Sequence, residues 1–404
     1  MSEPASLTVI GVDGRPLPPG AEQALAEAEV VAGAARHLAA APLPAAAERI
    51  ELGPVGPALI KLAGRRGVVL ASGDPAFFGI VRLLREHGLQ PTVLPALSAV
   101  QLAFARLGRS WDDVAVVSAH GRSLRQAVNV CRARAATAVL TGPGCGPAQI
   151  AAALAGWART LVVAENLGGA DERLVTLAAE TAVAEDWHDP NLLLCLRGRA
   201  GDGSADGVPP RGWFAGGEPT PPIGGWALPE AEFRHRDGMV TKAEVRAFAL
   251  ARLAPRPGSL VWDVGAGSGS IAIECARLGA AALAVERDPE SIDRIAANAA
   301  AHRVDVRIVA GTAPAALSGL PQPDAVFVGG GGLDVLDACV GAGASRVVLG
   351  LAALDRLAPA RAALQAAGYT VDGVQLAASR LAELPDGSVR LAAANPVLLL
   401  CGQR

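Results

Sequence analysis

Asp263, Gly265, Gly267, Gly269 and Glu286 have the types and spacing to hold a cationic, nucleotide-like small molecule. The glycines lie in Val261-Trp262-Asp263-Val264-Gly265-Ala266-Gly267-Ser268-Gly269-Ser270, an apolar run that breaks up before a helical stretch at 271–278. Such a loop permits positive φ, lets a ligand approach the backbone and offers unpaired helix N–H groups. The dinucleotide pattern G-x-G-x-x-G needs glycine where Ser270 stands, so G-x-G-x-G is the better description. A carboxylate at Asp263 would repel a pyrophosphate and attract an ammonium, directly or through water. Glu286 ends the next apolar strand 21 positions after Gly265. There a carboxylate accepts hydrogen bonds from both hydroxyls of a ribose. S-adenosylmethionine carries both the ammonium and the ribose, and is the expected cofactor of this half.

Positioning these groups requires a doubly wound sheet. Strands are predicted at 260–264, 282–286, 304–309, 324–328 and 346–349, with 369–376 and 397–400 closing the sheet as an antiparallel edge. Thr241 and Glu244 have capping-box spacing before a helix that runs to about residue 253. Asp288-Pro289 reads as cap and first position of another helix. The first half alternates in the same manner, with strands predicted at 7–12, 68–71, 115–118, 138–141, 160–164 and 192–196, helical spacing at 79–87 and 149–157, and a largely parallel sheet. Between the halves, 198–229 crowds Gly, Pro and Ser and reads as a linker. Its Trp213, Phe214 and Trp226 predict that parts of it pack onto a domain. The expected domains are thus 1–197, the linker 198–229, and 230–404.

Composition agrees with two packed α/β domains. The chain has 404 residues, 51% hydrophobic and 19% charged, which excludes global disorder. A net charge of −3 makes nucleic acid a poor partner. No apolar run reaches the ~18 residues of a membrane span, and the N-terminus lacks the features of a signal peptide, so the cytoplasm is expected. Cys131, Cys145, Cys195, Cys275, Cys339 and Cys401 show no C-x-x-C spacing, and the six histidines are dispersed. No metal or disulfide framework is expected.

In the first half, Ala71-Ser72-Gly73-Asp74-Pro75-Ala76-Phe77-Phe78-Gly79 is a strand and turn that turn chemistry explains as well as a ligand loop does. With Ala28-Glu29-Val30-Val31-Ala32-Gly33, Pro95-Ala96-Leu97-Ser98-Ala99-Val100-Gln101-Leu102-Ala103, Val117-Ser118-Ala119-His120-Gly121-Arg122 and Leu140-Thr141-Gly142-Pro143, residues 5–197 resemble the tetrapyrrole methylase fold, specifically a precorrin C-5 methyltransferase domain. The resemblance implies a cofactor folded between two α/β lobes, facing Gly73, Asp74, Ser98 and Thr141. The turn Gly11-Val12-Asp13-Gly14 departs from the family's G-x-G-P-G form. His120 and Arg122 either face the substrate or are a structural histidine and a solvated arginine.

The second half, through His235-Arg236-Asp237-Gly238-Met239-Val240-Thr241-Lys242-Ala243-Glu244-Val245-Arg246, the run from Trp262 to Glu274, Ala284-Val285-Glu286-Arg287-Asp288-Pro289, Pro323-Asp324-Ala325-Val326-Phe327-Val328-Gly329-Gly330-Gly331-Gly332 and Ala394-Asn395-Pro396-Val397, resembles the precorrin-8w decarboxylase/methyltransferase domain, a Rossmann-like class I methyltransferase. Thr312, in Gly311-Thr312-Ala313-Pro314, stands where that family has an acidic residue, and would meet the adenine.

The two resemblances together imply a cobalamin-pathway enzyme with two S-adenosylmethionine sites per chain. It would methylate precorrin-6B at carbons 5 and 15 and decarboxylate the ring C acetate, giving precorrin-8, and related modules suggest a homo-oligomer. A polycarboxylate substrate favours arginine and lysine at the rim. Arg234, Arg236 and Lys242 are candidates, with ordinary solvated charges as the alternative. In-line methyl transfer from a sulfonium needs alignment and no protein nucleophile, so no catalytic residue is assigned. A methyltransferase of another small molecule, or a non-catalytic protein that binds the cofactor, would carry the same loops.

Overall fold

Leu7–Val12 (β1), rich in β-branched residues, is a largely buried interior strand of the first lobe. The computed structural model describes residues 6–53, 60–198, 215, 225–236 and 238–404. Val30–Gly33 (β2), Glu48–Glu51 (β3), Gly67–Ser72 (β4) and Thr92–Leu94 (β5) join β1 in an all-parallel sheet of order β3-β2-β4-β1-β5. The second lobe contains Ala115–Ser118 (β6), Ala136–Leu140 (β7), Arg159–Glu165 (β8), Arg173–Ala178 (β9) and Asn191–Arg197 (β10), in order β6-β7-β10-β8-β9. Here only β6 and β7 are parallel, which corrects the expectation of a largely parallel sheet throughout the first half. The strands β8, β9 and β10 follow one another through connections that carry at most the short helix Ala179–Ala182. A parallel crossover normally needs an intervening segment of a dozen residues or more, usually helical.

The second half is the doubly wound sheet that its pattern predicts. Leu260–Val264 (β11), Ala281–Glu286 (β12), Val306–Ala310 (β13), Ala325–Val328 (β14) and Arg346–Leu351 (β15) are parallel. Thr370–Leu376 (β16), the hairpin Ser379–Glu383 (β17) and Val389–Ala393 (β18), and Val397–Gln403 (β19) follow, and β19 inserts antiparallel between β15 and β16. Leu260, Trp262 and Val264 of β11 enter one buried cluster and Val261 the opposite one, the period-two division of a strand covered on both faces. Five of the cysteines are buried and none is paired. No helix among the described residues is long and apolar enough to cross a membrane.

The Thr241/Glu244 capping box does not form. The helix Ala243–Leu253 begins after Lys242, and its first N–H, that of Ala243, donates to Glu230 instead (2.9 Å). Glu244 is drawn away by Arg380, whose guanidinium it meets at 2.6 Å. Asp288 does cap the helix Pro289–Ala301, accepting from the Ser291 N–H. Of the linker aromatics, Trp226 is exposed, whereas its neighbour Leu228 packs into the second half. Trp213 and Phe214 lie outside the described residues.

The two halves dock through the second lobe. Arg159, 2% exposed, meets Asp305 at 2.6 Å, and Arg125 meets Asp324 at 2.9 Å. Asn129 donates to the Gly258 carbonyl (3.1 Å). Arg132 and Arg307 each place a guanidinium over the Trp157 ring, 4.4 and 4.7 Å from its centre.

Candidate active sites

In the second half the glycine loop follows β11 at the edge of the sheet where the parallel strands end. Gly265, Gly267 and Gly269 all have positive φ (74°, 57° and 74°), which glycine adopts without the steric cost of a Cβ. A Cβ on Gly265 would lie 3.0 Å from the Gly330 nitrogen, and one on Gly269 2.9 Å from Ile295, so these two allow close packing. At Gly267 a Cβ would have no protein atom within 4 Å. The loop is therefore open at its middle glycine, as a backbone-approaching ligand requires.

Both acidic residues are drawn to this loop. Asp263 is 1% exposed, and its Oδ2 accepts the Ala272 N–H (3.1 Å) from the helix Ser270–Arg277. Burial pushes its carboxyl up to about 7, against the Ala272 hydrogen bond and aided by the charge of Glu286. Glu286 accepts N–H groups from Gly267 (2.8 Å), Arg287 (2.8 Å) and Asp288 (3.0 Å). A carboxylate has about four lone-pair directions, so capacity for a ligand hydroxyl is left. Thr312 is exposed just past β13, whose end lies beside Glu286, and the intervening Gly311 donates to the Glu286 carbonyl.

Asn298, which the sequence reading missed, ties the entry segment to the loop. Its amide bonds the backbone N–H and carbonyl of Arg234 and the carbonyl of Ser268 (2.7, 3.0 and 2.9 Å). Arg234 and Arg236 are exposed on that segment. The Ser291 hydroxyl and amide hold the Asp288 carboxyl below its usual range, with smaller contributions from the charges of Arg236 and Arg294. Lys242 is half-buried, and its Nζ donates to the Gly238 carbonyl (3.4 Å) on its own entry segment.

In the first half two adjoining chambers open between the lobes. The smaller, about 250 Å³, runs from Asp13 and Gly14 to Asn166 and Gly168. The larger, about 510 Å³, collects Gly73, Asp74, Ser98, His120, Arg122 and Thr141, the complete set that the first-half motifs single out. Arg36, Ser72, Gly73 and Asn191 border both. Gly73 (φ 63°) turns the chain sharply after β4, and its N–H donates to the Val12 carbonyl. Ser98 caps the helix Ala99–Leu107, its Oγ accepting the Gln101 N–H, so its side chain already has a partner. The Thr141 hydroxyl donates to the Asn191 carbonyl (2.5 Å). His120 and Arg122 are exposed on the wall of the larger chamber.

Several groups here escaped the sequence reading. Asp13 accepts the Leu97 N–H (3.0 Å) and pairs with Arg15. Burial opposes its charge, yet Arg15 and the backbone N–H groups of Arg15 and Leu97 hold its carboxyl below the usual range. The turn it occupies approaches the second lobe so closely that a Cβ on Gly14 would sit 1.9 Å from the Gly168 oxygen. Ser72 accepts from Arg36 (2.7 Å) and shares a hydrogen bond with His37 (2.8 Å). Burial, with the charge of Arg36 beside it, lowers His37 to about 4, so the ring is neutral at pH 7. Among the described residues no group of three or more His, Cys, Asp or Glu side chains could hold a metal ion.

Each half of the chain is similar to known proteins. The family model for tetrapyrrole (corrin/porphyrin) methylases matches residues 10–182, and that for a precorrin methyltransferase domain matches 231–385. A Sinorhizobium precorrin-6Y C(5,15)-methyltransferase (decarboxylating) is 41% identical over 360 residues, covering 84% of this chain and 83% of its own. A cobalt-precorrin-7 C(5)-methyltransferase of Salmonella typhimurium is 38% identical over 193 residues, 44% of this chain and 94% of its own. A probable cobalt-precorrin-6B C(15)-methyltransferase (decarboxylating) of Pyrobaculum calidifontis is 38% identical over 149 residues, 35% of this chain and 76% of its own. With both family domains present in one polypeptide and a relative of this identity aligned over most of its length, the chain belongs to the precorrin-6Y C(5,15)-methyltransferase (decarboxylating) family, S-adenosylmethionine-dependent methyltransferases of cobalamin biosynthesis.

Proposed function

We propose that the chain methylates precorrin-6B at carbons 5 and 15 and removes the ring C acetate carboxyl, giving precorrin-8. The N-terminal half serves carbon 5, and the C-terminal half serves carbon 15 and the decarboxylation. The observation that carries this reading is the presence of two separate ligand constellations, the chambers at Gly73 and the loop at Gly267, on different sheets of one chain. Relatives named for C(5) alone and for C(15) with decarboxylation alone each match less than half of the chain, which supports the division.

Each site takes one S-adenosylmethionine, which supplies an electrophilic sulfonium methyl. The protein then has to align the acceptor carbon with that methyl and exclude water. In the first half, the shared border of the chambers at Ser72, Gly73 and Asn191 is where donor and acceptor would meet, with the cofactor in the smaller chamber and the macrocycle in the larger. Gly73 then keeps the cofactor contact expected of it, while Asp74, Ser98 and Thr141, which line the larger chamber alone, face the macrocycle instead. In the second half, Glu286 takes a ribose hydroxyl, Asp263 the cofactor's charged end, and Thr312 flanks the adenine. Arg236 and Lys242 there, and His120 and Arg122 in the first half, face the substrate's carboxylates. No metal is needed, because the conjugated macrocycle itself accepts the electrons left by carbon dioxide.

The same reading makes the protein a cytoplasmic homo-oligomer without nucleic-acid or membrane partners. In the β17–β18 hairpin, Leu381, Val389 and Leu391 share an exposed face, which supports association through that surface. Mass spectrometry of precorrin-6B incubated with enzyme and labelled methyl donor tests the reaction. Two methyl groups gained and one carboxyl lost are expected. A product with one methyl, or with the carboxyl retained, refutes the assignment.

A further inference from the structure

Phe78 is a large aromatic residue held where neither packing nor backbone preference puts one. It is 42% exposed and has φ 55°, a left-handed conformation that is costly for a bulky side chain. The turn around it is closed by Phe77 N–H to Asp74 O and by Gly79, where a Cβ would strike the Pro75 carbonyl. Phe77, 39% exposed, stands edge-on to it at 4.9 Å. The Arg122 guanidinium lies 5.5 Å from the Phe78 ring. Both rings border the larger chamber, whose rim also carries Arg36.

We propose that Phe77 and Phe78 form the shelf that binds the substrate macrocycle for methylation in the N-terminal half, with Arg36 and Arg122 meeting its carboxylates. This rests on the reading above that the C5 reaction occurs there. A conjugated ring system stacks on aromatic side chains, and guanidinium groups pair with carboxylates in fixed geometry. The strain at Phe78 is then the cost of turning a ring toward substrate rather than core.

Phe78→Gly separates this role from a structural one, since glycine adopts φ 55° freely. The variant should melt at or above the wild-type temperature, while KM for carbon 5 methylation rises on the order of tenfold with little change in kcat. Phe78→Tyr should restore KM, and carbon 15 methylation should be unchanged in both. A variant that melts lower, or whose KM stays at the wild-type value, overturns the proposal. A defect confined to carbon 15 would instead refute the division of reactions between the halves.

The docking of the halves supports a separate inference. Gly258, Asp305 and Asp324, which receive the N-terminal half, precede β11, β13 and β14, whereas the glycine loop and Glu286 lie where β11 and β12 end. On the other partner, Arg159 begins β8, whereas Leu140, Thr141 and Asn191 border the chambers at the far ends of β7 and β10. Each sheet interposes about five residues, roughly 16 Å of strand. The two sites therefore open at opposite ends of the chain, back to back.

We infer that the singly methylated intermediate crosses between sites through solvent rather than by an internal passage. With precorrin-6B in large excess over wild-type enzyme, that intermediate should appear free in an ultrafiltrate before the doubly methylated product dominates. No free intermediate at any substrate excess overturns the inference. A product with only one methyl at completion refutes the two-reaction reading instead.

Discussion

Arg246 and Glu274 pair at 2.6 Å with both side chains wholly shielded from solvent. Arg246 also donates to the carbonyls of Thr241 and Leu228, and Glu274 accepts the N–H groups of Ala227 (2.5 Å) and Leu228 (2.9 Å). The pair thus fastens the segment that enters the second half, which carries Arg234 and Arg236, to the helix that follows the glycine loop. Glu274→Gln would leave the guanidinium buried without its counter-charge, at a cost of about 3–5 kcal/mol. Urea denaturation of the intact chain should show the C-terminal transition shifted by that amount. A shift below about 1 kcal/mol, the value of an exposed pair, would mean that solvent reaches it.

Asp263 gives a pH dependence. Its folded-state carboxyl titrates near 7 because of burial, while the unfolded chain has the ordinary value of 3.8. The folded state binds the proton more tightly between those values, so this group's favourable contribution is full below about pH 4 and is lost as pH rises through 7. Asp263→Asn removes the titration, so the melting temperature of the variant should gain on wild type from pH 5 to pH 8. A cationic cofactor end favours the ionised carboxyl, so calorimetric affinity at this site should increase with pH across 7 in wild type and flatten in the variant. Equal slopes in both would show that Asp263 does not sense the cofactor's charge.

The clustering of the candidate C-terminal site was legible in the sequence because it is local. Asp263, the three glycines and Glu286 are contributed by two consecutive strands and one loop, and the strand limits of β11 agree with the apolar run. The N-terminal site is assembled by topology. Asp13, Arg36, Ser72 and Asn191 meet through strand orders in which sequence neighbours are separated, and no local pattern reports that. The missed strands have physical reasons as well. Glu48–Glu51 is an edge strand with three charged residues of four, and Arg173–Ala178 runs into the helix-favouring Ala-Ala-Glu-Thr-Ala. The capping box failed because Glu230 and Arg380, distant in sequence, compete for the groups it needs.

In the proposed site, Glu286 connects the loop to the ligand. Glu286→Ala takes the acceptor from the Gly267, Arg287 and Asp288 N–H groups and from the ribose together. Loss of hydrogen bonds to a charged acceptor is worth about 1.5–3 kcal/mol, or roughly 10–100-fold in affinity. Calorimetry should then find one weakened cofactor site and one unchanged. Uniform weakening of both sites would contradict their independence.

Gly267→Val tests the division of labour directly. A Cβ at Gly267 has no protein atom within 4 Å, and a valine side chain there projects from the loop that the cofactor must approach. Its φ of 57° also disfavours a β-branched residue, at a cost of about 1–2 kcal/mol. That strain is local to the second half, and the chambers at Gly73 belong to another sheet. The variant should stay folded by circular dichroism, bind one cofactor per chain instead of two, and add one methyl, at carbon 5. Methylation at carbon 15 and the decarboxylation should be lost. Carbon-13 NMR of product made with labelled methyl donor locates each group. A folded variant that loses carbon 5 methylation alone, or that completes both transfers at the wild-type rate, would show that the reactions are not divided between the domains in this way.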